Sequence, residues 1–306
     1  MKSKIILLLV LFLLLFNTGK TIAQPKLPID AAGPIIPLRE LECGKLQKLL
    51  KDEIYINSQW KRLVESKRMA IGIVDLQDVN HVKYAGLNED NMMYAASLPK
   101  IAVLLSAVHA IENGELEETE KLKTDMRLMI SKSDNSATTR IIDALGYEKI
   151  ESVLRNTEHK LYDEKYGGGL WVGKRYASTG ERSPDPVKGL SHGASSIQVC
   201  SFYYQLVFGK LVNKERSAQM LEVLKDPALK HKFVNTLHKI APEASVYRKS
   251  GSWKNFHSDS VLVWGPDRRY IMVALIEDSN GEMIIRNLVV PLENVLKKSL
   301  NLECNN

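Results

Sequence analysis

Cysteine is scarce in this 306-residue chain, and it forms no metal-binding pattern. The three cysteines, Cys43, Cys200 and Cys304, lie far apart, and the seven histidines show no ligand spacing. A glycine-rich loop for nucleotide phosphates is also missing. The sequence therefore predicts neither a metal nor an organic cofactor. Cys200 falls in an apolar stretch, which favours a small buried hydrophobic residue.

Long hydrophobic runs are absent except at the start of the chain. Residues 1–23 combine two early lysines, Lys2 and Lys4, with an apolar run over 5–16 and a small residue, Ala23, at the end. This layout is typical of a secretory signal peptide, and the run is too short to span a bilayer comfortably. A retained N-terminal anchor is the alternative. We expect a secreted or periplasmic protein without a stable membrane anchor, whose mature part, 24–306, is a single domain.

Blocks of like charge are missing as well. Without its first 23 residues the chain loses three lysines and no acid, so the net charge falls from +6 to about +3. Such a small excess does not favour nucleic acid or an anionic membrane surface as a partner. We expect a small-molecule or cell-wall peptide substrate, and a monomer.

Strand and helix patterns are distributed in a way that predicts an α+β fold. β-Forming alternation predicts strands at 69–76, 81–87, 246–253, 260–264 and 270–276. Helical spacing and capping residues predict helices over 41–50, 97–113, 121–130, 136–145, 195–208, 215–224 and 292–300. The economical arrangement has two layers, an antiparallel sheet from both chain ends (41–96 and 241–306) packed against an inserted helical part (97–240). Between 166 and 193, glycine and proline predict a long loop of the kind usually kept for function.

Ser97 and Lys100 lie three residues apart at the start of the apolar helix predicted over 97–113. This spacing places both side chains on one helix face, where a lysine of lowered pKa can take the proton of a serine hydroxyl. The same spacing occurs at Ser58 and Lys61 without special surroundings, so chance produces it readily. Position and companion motifs must decide.

The first companion motif is Ser133-Asp134-Asn135, between two predicted helices. A hydroxyl there can relay a proton, and an amide can hold a substrate carbonyl. A helix N-cap is the alternative, since Ser, Asp and Asn are the residues that caps prefer.

The second companion motif is Lys249-Ser250-Gly251-Ser252, on a predicted strand. Lysine and serine can bind a carboxylate there, and glycine lets a substrate approach the strand edge closely. The backbone N–H of Ser252 can pair with that of Ser97 as an oxyanion hole. An edge strand with a solvated lysine is the alternative.

Taken together, the three motifs resemble those of the class A β-lactamases and penicillin-binding proteins. In this chain they read Ser97-Leu98-Pro99-Lys100, Ser133-Asp134-Asn135 and Lys249-Ser250-Gly251. The likeness extends from about residue 45 to 300 and implies the fold of that superfamily. That fold places the first and last helices side by side, which brings Cys43 near Cys304 and makes a disulfide between them reasonable.

The resemblance also implies a role for each site residue. Ser97 is then the acylated nucleophile, Lys100 its base, and Ser133 the relay of a proton to the leaving amine. Asn135 would bind the substrate's amide carbonyl, and Lys249 and Ser250 its carboxylate. Gly251 gives access to the strand, and the N–H groups of Ser97 and Ser252 form the oxyanion hole.

Two departures from the family pattern bear on turnover. No Glu-x-x-Leu-Asn string, whose glutamate activates the deacylating water, occurs between Asn135 and Lys249. Two interpretations are open for four loop acids, which either replace that glutamate or are solvated loop residues: Asp163, Glu164, Glu181 and Asp185. Two interpretations are also open for His192 and His257, which either act as a base or hold a loop in place by hydrogen bonds. The stretch between the first two motifs is also short, which predicts a lower wall of the cleft. Two interpretations are open for three aromatic residues, which either line a pocket near the site or belong to the core: Trp171, Trp253 and Phe256.

The sequence thus predicts a secreted serine hydrolase that works through an acyl-enzyme on Ser97. The leading expectation is β-lactam hydrolysis with slow deacylation, and hence antibiotic resistance. One alternative is a D,D-carboxypeptidase-like or other amide or ester hydrolase. Another is a penicillin-recognising protein without turnover.

Overall fold

The computed structural model of this chain describes residues 26–30, 33–300 and 302–304. The signal-peptide prediction for 1–23 lies outside the described residues. Among the helices that the structure describes, none is both long enough and apolar enough to cross a membrane.

Ten strands are found in the described residues, five of them in one sheet. Their bounds are β1 Met69–Asp75, β2 Lys83–Leu87, β3 Met93–Tyr94, β4 Tyr162–Asp163, β5 Gly168–Gly169, β6 Trp171–Val172, β7 His192–Ala194, β8 Ser245–Trp253, β9 Phe256–Trp264 and β10 Arg269–Glu277. The main sheet has the order β2-β1-β10-β9-β8, and each neighbouring pair is antiparallel. This arrangement confirms the predicted antiparallel sheet built from both ends of the chain.

Helices occupy the middle of the chain and both flanks of the sheet. Their bounds are α1 Gly44–Tyr55, α2 Ser58–Glu65, α3 Lys100–Glu112, α4 Glu120–Ser131, α5 Asn135–Leu145, α6 Tyr147–Arg155, α7 Ser196–Val207, α8 Lys214–Leu224, α9 Phe233–Ile240 and α10 Gly281–Ser299. Short 3₁₀ turns cover Leu38–Leu41 and Glu164–Tyr166.

The central strands are apolar on both faces because each face meets a helix layer. In β1, Ile71 and Ile73 pack into one core with α1, α9 and α10. Ala70 and Val74, which point to the other face, join the core formed by α3, α7 and α8. The sheet therefore lies between two helical layers, whereas the sequence predicted a single helical layer on one face of the sheet. The fold class itself, α+β with a β-lactamase-like arrangement, is confirmed.

Two helix bounds differ from the sequence prediction in ways that matter for the site. Ser97 lies in a turn before α3 rather than inside the helix, and Pro99 is the residue that precedes the first helical position. The last helix starts at Gly281, eleven residues before the predicted start, with Pro291 inside it. A proline is usually tolerated only in the first turn, so the sequence favoured a start just after Pro291. Helices α2, α6 and α9 were not predicted.

The chain ends are joined by the predicted disulfide. Cys43 precedes α1 and Cys304 follows α10, and their Cα atoms are 5.4 Å apart in the disulfide that they form. Cys200 is a free, buried thiol inside α7, as its apolar surroundings predicted.

Candidate active site

Ser97 lies in a strained turn between β3 and α3. The preceding residue, Ala96, has φ +52°, a left-handed conformation that alanine rarely adopts. The neighbouring Ala95 is fixed on both sides, since its N–H donates to His192 O (2.9 Å) and its carbonyl accepts from Ser258 Oγ (2.7 Å). Strain of this kind persists only where surrounding contacts over-determine it, and it is frequent at functional turns.

Lys100, at the first position of α3, is entirely buried and points at the second motif. Its Nζ donates to Ser133 O and to Asn135 Oδ1, both at 2.7 Å, and lies 3.3 Å from Asp134 O. Burial lowers the pKa of Lys100 to about 7, against an opposing effect of the Asp134 charge. A substantial fraction of this lysine is therefore neutral near pH 7, as a general base requires.

Ser133 lies between two lysines. Its Oγ accepts from Lys249 Nζ at 2.9 Å and is 3.5 Å from Lys100 Nζ. Lys249 is buried, and burial, reinforced by the positive charge of Lys100, lowers the pKa of Lys249 well below its usual 10.5. Hydroxyl and amines together form a short hydrogen-bonded chain along which a proton can move.

Asp134 fulfils the alternative interpretation of this motif, the helix cap. Its carboxylate accepts from the N–H of Ala137 at 2.6 Å at the start of α5. The cap fixes the turn so that its flanking residues, Ser133 and Asn135, meet Lys100. The cap interpretation is thus confirmed for Asp134, and the functional interpretation of Ser133 and Asn135 stays a prediction.

Gly251 brings strand β8 against the turn that carries Ser97. A Cβ placed on Gly251 would lie 2.6 Å from Ser97 N and 2.8 Å from Leu98 N, and closer still to Ala95 O. Only glycine permits this approach without a shift of the main chain. Because Ser252 follows on the same strand, the turn and β8 supply neighbouring backbone N–H groups of the kind that form an oxyanion hole.

Strand β8 is an edge strand, the last in the sheet order. Ser250 is buried opposite Asp259 in the β8–β9 register, and its carbonyl accepts from Lys249 Nζ at 2.6 Å. Ser252 is exposed at the outer part of the strand. The eight residues predicted as a site thus lie at three places in the fold: the turn before α3 with the first residue of α3, the turn before α5 with the first residue of α5, and β8.

A family model described as the β-lactamase enzyme family matches residues 121–290, more than half of the chain. The chain belongs to the β-lactamase enzyme family. The match contains the second and third motifs of this family member, and the first motif lies just before it. No curated protein has a sequence that matches this chain significantly.

Solved structures of β-lactamases and of the protein PBP-A share the fold. The β-lactamase of Sphaerobacter thermophilus is 15% identical with a TM-score of 0.62, over 84% of this chain and 98% of that one. PBP-A is 17% identical with a TM-score of 0.61, over 88% and 100%. A leucine-to-glutamate mutant of PBP-A, an acyl-enzyme complex with penicillin G, is 18% identical with a TM-score of 0.60, over 86% and 100%. At such identities the likeness shows the fold alone.

Three of the four acids suggested as replacements for the missing loop glutamate have structural partners in this β-lactamase family member. Asp185 is buried and accepts from Tyr162 Oη (3.2 Å) and from backbone N–H groups of its own loop. Glu164 forms an ion pair with Arg155 at 2.8 Å, and Asp163 accepts from a neighbouring backbone N–H. Glu181 is exposed. Within the described residues, no hydrogen bond or ion pair joins these acids to the three motifs.

His192 ties the loop down. Its Nε2 lies 3.0 Å from Lys174 O and its Nδ1 lies 3.1 Å from Ser191 Oγ. Burial lowers the pKa of His192 to about 4, so the ring is neutral at pH 7, donates from Nε2 to the carbonyl and accepts at Nδ1. The ring packs against Tyr176, with centroids 4.2 Å apart and ring planes tilted by 44°. His257, the other candidate base, lies opposite Ser252 in the β8–β9 pair.

The three aromatic residues considered as pocket residues separate into two groups. Trp171 is buried against Tyr162 and is a core residue. Trp253 is 57% exposed at the end of β8, and Phe256 contacts Tyr94 edge-on with centroids 5.3 Å apart. Only the second group lies near the strand that borders the site.

The sequence interpretation missed two buried cationic residues, Lys232 before α9 and Arg248 on β8. Lys232 donates to Ser252 Oγ (2.8 Å), to Ser258 O (3.0 Å) and to Gly251 O, and burial lowers the pKa of Lys232 to about 8. Arg248 forms a buried ion pair with Asp259 at 2.6 Å. Nothing in the local sequence marks these positions, because their burial arises from the pairing of β8 with β9 and the chain before α9. Among the described residues, no cluster of three or more His, Cys, Asp or Glu is placed to hold a metal ion.

Proposed function

We propose that this family member is an exported serine hydrolase that is acylated by β-lactams on Ser97 and deacylates slowly. The observation that carries this proposal is the hydrogen-bonded chain Lys100–Ser133–Lys249, in which both lysines are buried and Lys249 Nζ lies 2.9 Å and Lys100 Nζ 3.5 Å from the Ser133 hydroxyl. Lys100 follows Ser97 by three residues, and the strand that carries Lys249 lies against the Ser97 turn at Gly251. Such a chain has a use in acyl transfer, which needs one proton removed from a hydroxyl and one delivered to a leaving nitrogen.

In the proposed acylation step, Lys100 in its neutral form takes the proton of Ser97 as Oγ attacks the lactam carbonyl. The bond between Oγ and the carbonyl carbon forms, and the carbon–nitrogen bond of the lactam breaks as the tetrahedral intermediate collapses. The proton passes from Lys100 through the Ser133 hydroxyl to the departing nitrogen. The amine is regenerated in its neutral form.

Substrate recognition in this proposal uses residues around that chain. The N–H groups of Ser97 and Ser252 hold the oxyanion, and the amide of Asn135 binds the carbonyl of the substrate's side chain. Lys249 and Ser250 supply positive charge and a hydroxyl for its carboxylate. Exposure of Asn135 and Ser252 supports their availability to a substrate.

Slow deacylation is proposed because no Glu-x-x-Leu-Asn string occurs between Asn135 and Lys249. In the part of the chain that the structure describes, no hydrogen bond or ion pair joins the four loop acids to the motifs, and His192 is held between Lys174 and Ser191. One of the similar structures is described as an acyl-enzyme complex of a PBP-A mutant with penicillin G. A covalent adduct that accumulates is therefore the expected state of this protein with a penicillin.

A D,D-carboxypeptidase-like activity is the second candidate, and the open edge of β8 favours it. An extended cell-wall peptide can pair with such an edge and present its carbonyl to Ser97. The disulfide between Cys43 and Cys304 supports the proposed export, because such bonds persist in oxidising compartments.

The experiment is labelling of the purified protein with a fluorescent penicillin, together with hydrolysis of a chromogenic cephalosporin. We expect Ser97→Ala to abolish labelling, and Lys100→Ala and Ser133→Ala to slow it by at least about a hundredfold. The control is Ser58→Ala, since Ser58 and Lys61 have the same spacing on the exposed helix α2. Equal labelling of Ser97→Ala and wild type would overturn the proposal.

A further inference from the structure

Tyr176 is the loop residue that covers the catalytic lysine of the proposed mechanism. It lies in the long loop between residues 166 and 193, and its ring centroid is 4.5 Å from Lys100 Nζ. Lys100 has no exposed surface, whereas Tyr176 is half-buried. One side of the ring thus contacts the amine, and the residue separates the amine from solvent.

The hydroxyl of Tyr176 holds the nucleophile turn. It donates to Ala96 O at 3.1 Å, the carbonyl of the strained residue directly before Ser97. Burial raises the pKa of Tyr176 well above its usual 10, so this hydroxyl remains a donor across the working pH range. One side chain therefore contacts both the base and the turn of the nucleophile.

Tyr176 is itself braced from behind. Its ring packs against His192 with centroids 4.2 Å apart and ring planes tilted by 44°, and His192 is fixed by Lys174 and Ser191. The His192 ring also meets Tyr94 edge-on at 6.0 Å. A ring supported in this way keeps its place over Lys100 without help from a substrate.

We propose that Tyr176 is a positioning residue that keeps Lys100 dry and aimed at Ser133, and that its ring shields the acyl-enzyme from water on the loop side. This proposal rests on the proposed function, in which Lys100 is the base and the adduct is on Ser97. It adds the residue that makes the amine usable and the adduct long-lived. Exclusion of water is a recognised means of both strengthening local electrostatics and protecting an intermediate.

Removal of the Tyr176 ring should raise the pKa of Lys100. Water would reach the amine, and the loss of desolvation would move the pKa of Lys100 up from about 7 toward 10.5. Loss of the cation–π contact acts in the opposite direction, but for a buried amine such a contact amounts to about 1.5 pKa units, less than the interval between about 7 and 10.5. The other charged or titratable groups that face Lys100 stay in place: Asp134, Lys249 and His192, with the neutral Ser133 and Asn135.

The test uses the purified protein and the variants Tyr176→Ala and Tyr176→Phe. The rate constant of acylation by benzylpenicillin is measured by intact mass from pH 5.5 to 9.5, and the decay of the isolated adduct is followed at pH 7. For Tyr176→Ala we expect the pH midpoint to rise by at least about one unit, so that acylation falls about fivefold at pH 7 and less than about twofold at pH 9.5. The adduct should hydrolyse about tenfold faster.

Tyr176→Phe keeps the ring and removes only the hydroxyl. We expect the pH midpoint to stay within about 0.3 units and the acylation plateau to fall about three- to tenfold, because the turn at Ala96 loses one hydrogen bond. The matched control is Tyr162→Ala, a buried tyrosine of the same loop region that donates to Asp185 and contacts Trp171. This control should leave the midpoint and the adduct lifetime unchanged. Thermal melting confirms that each variant is folded.

A direct titration keeps the two proposals distinguishable. The ¹³Cε resonance of Lys100, assigned with Lys100→Ala, reports its pKa in wild type and variants without any substrate. An unchanged pKa in folded Tyr176→Ala would overturn the role of Tyr176 while leaving acylation of Ser97 intact. A raised pKa in that variant, with no adduct from wild type at any pH, would support the positioning role and overturn the β-lactam assignment. If Tyr176→Ala does not fold, an unchanged acylation plateau in Tyr176→Phe overturns the proposal that the Tyr176 hydroxyl positions the turn at Ala96.

Discussion

Three buried lysines lie at or next to the site. Lys100 and Lys249 both contact Ser133, and Lys232 donates to the carbonyl of Gly251 on β8. Burial lowers the pKa of each of these lysines, and the charges of neighbouring cations lower the pKa of Lys249 further. Charged amines this close repel one another, so the site favours a state in which at least one of them is neutral.

The pH dependence of acylation follows from Lys100. Only its neutral form accepts a proton, and its pKa of about 7 means that this form is scarce at pH 5 and dominant at pH 9. We therefore expect the acylation rate constant to rise with pH, about tenfold per unit below the midpoint, and to level off above about pH 8. Intact-mass measurements on samples quenched at successive times, in buffers of different pH, test this dependence. A rate that falls as the pH rises through 7 would contradict the role of Lys100 as base.

The ion pair between Arg248 and Asp259 should be the most sensitive charged contact for stability. Both side chains are buried, and Asp259 also accepts from the N–H of Phe233 at the start of α9. Asp259→Ala leaves an unpaired buried guanidinium, so we expect the free energy of unfolding to drop by about 3–5 kcal/mol. Urea titration measures it. Asp52→Ala, which removes an exposed pair with Lys48, is the control and should have a much smaller effect.

The contact between β8 and the turn of Ser97 depends on Gly251. Any Cβ there meets main-chain atoms of that turn, which joins β3 to α3. We expect Gly251→Ala to slow acylation about a hundredfold and to lower the free energy of unfolding by about 1–3 kcal/mol. Labelling kinetics and urea titration are the measurements.

Gly44→Ala is the control for that substitution, because a Cβ on Gly44 meets nothing within 4 Å. It should leave labelling unchanged. If Gly251→Ala labelled as fast as wild type, the close approach of β8 to Ser97 would have no bearing on acylation.

How far the sequence predicted each element depended on whether the signal was local. The strand β1 and the helix α3 were predicted because their apolar patterns are strong, and the cap at Asp134 because its residue type is favoured there. Helix α2 was missed, although Trp60, Leu63 and Val64 have helical spacing and Asn57 caps it. Its short length and polar remainder left the pattern weak.

Tertiary contacts account for the site residues that the sequence could not supply. The three motifs were identified by residue type, spacing and resemblance, and the structure brings them together. Tyr176 and Lys232 carry no local mark, because their importance comes from lying over Lys100 and behind Gly251. A loop tyrosine or a lysine beside a histidine is usually a surface residue.

At the scale of the whole molecule, the disulfide links the segment before α1 to the segment after α10. Cys43 and Cys304 are 261 residues apart in sequence, and they link the segments that flank α1 and α10. Because a cross-link restricts the unfolded chain, we expect the Cys43→Ser, Cys304→Ser double variant to lose about 2–4 kcal/mol of unfolding free energy.

Urea titration under non-reducing conditions measures that loss, and a thiol count provides the check. Native protein should show no reactive thiol, and denatured, non-reduced protein should show one, Cys200. Three thiols in the denatured, non-reduced protein would contradict the disulfide.

The most direct test of the central claim is the intact mass of the protein over time after mixing with benzylpenicillin. We predict an increase equal to one whole penicillin, formed within the mixing period at pH 8, persisting for many minutes and mapping to the peptide that contains Ser97. The Ser97→Ala variant should show no increase. An unmodified mass at every time in wild type, or an adduct that survives in Ser97→Ala, would contradict the account of Ser97 as the acylated nucleophile.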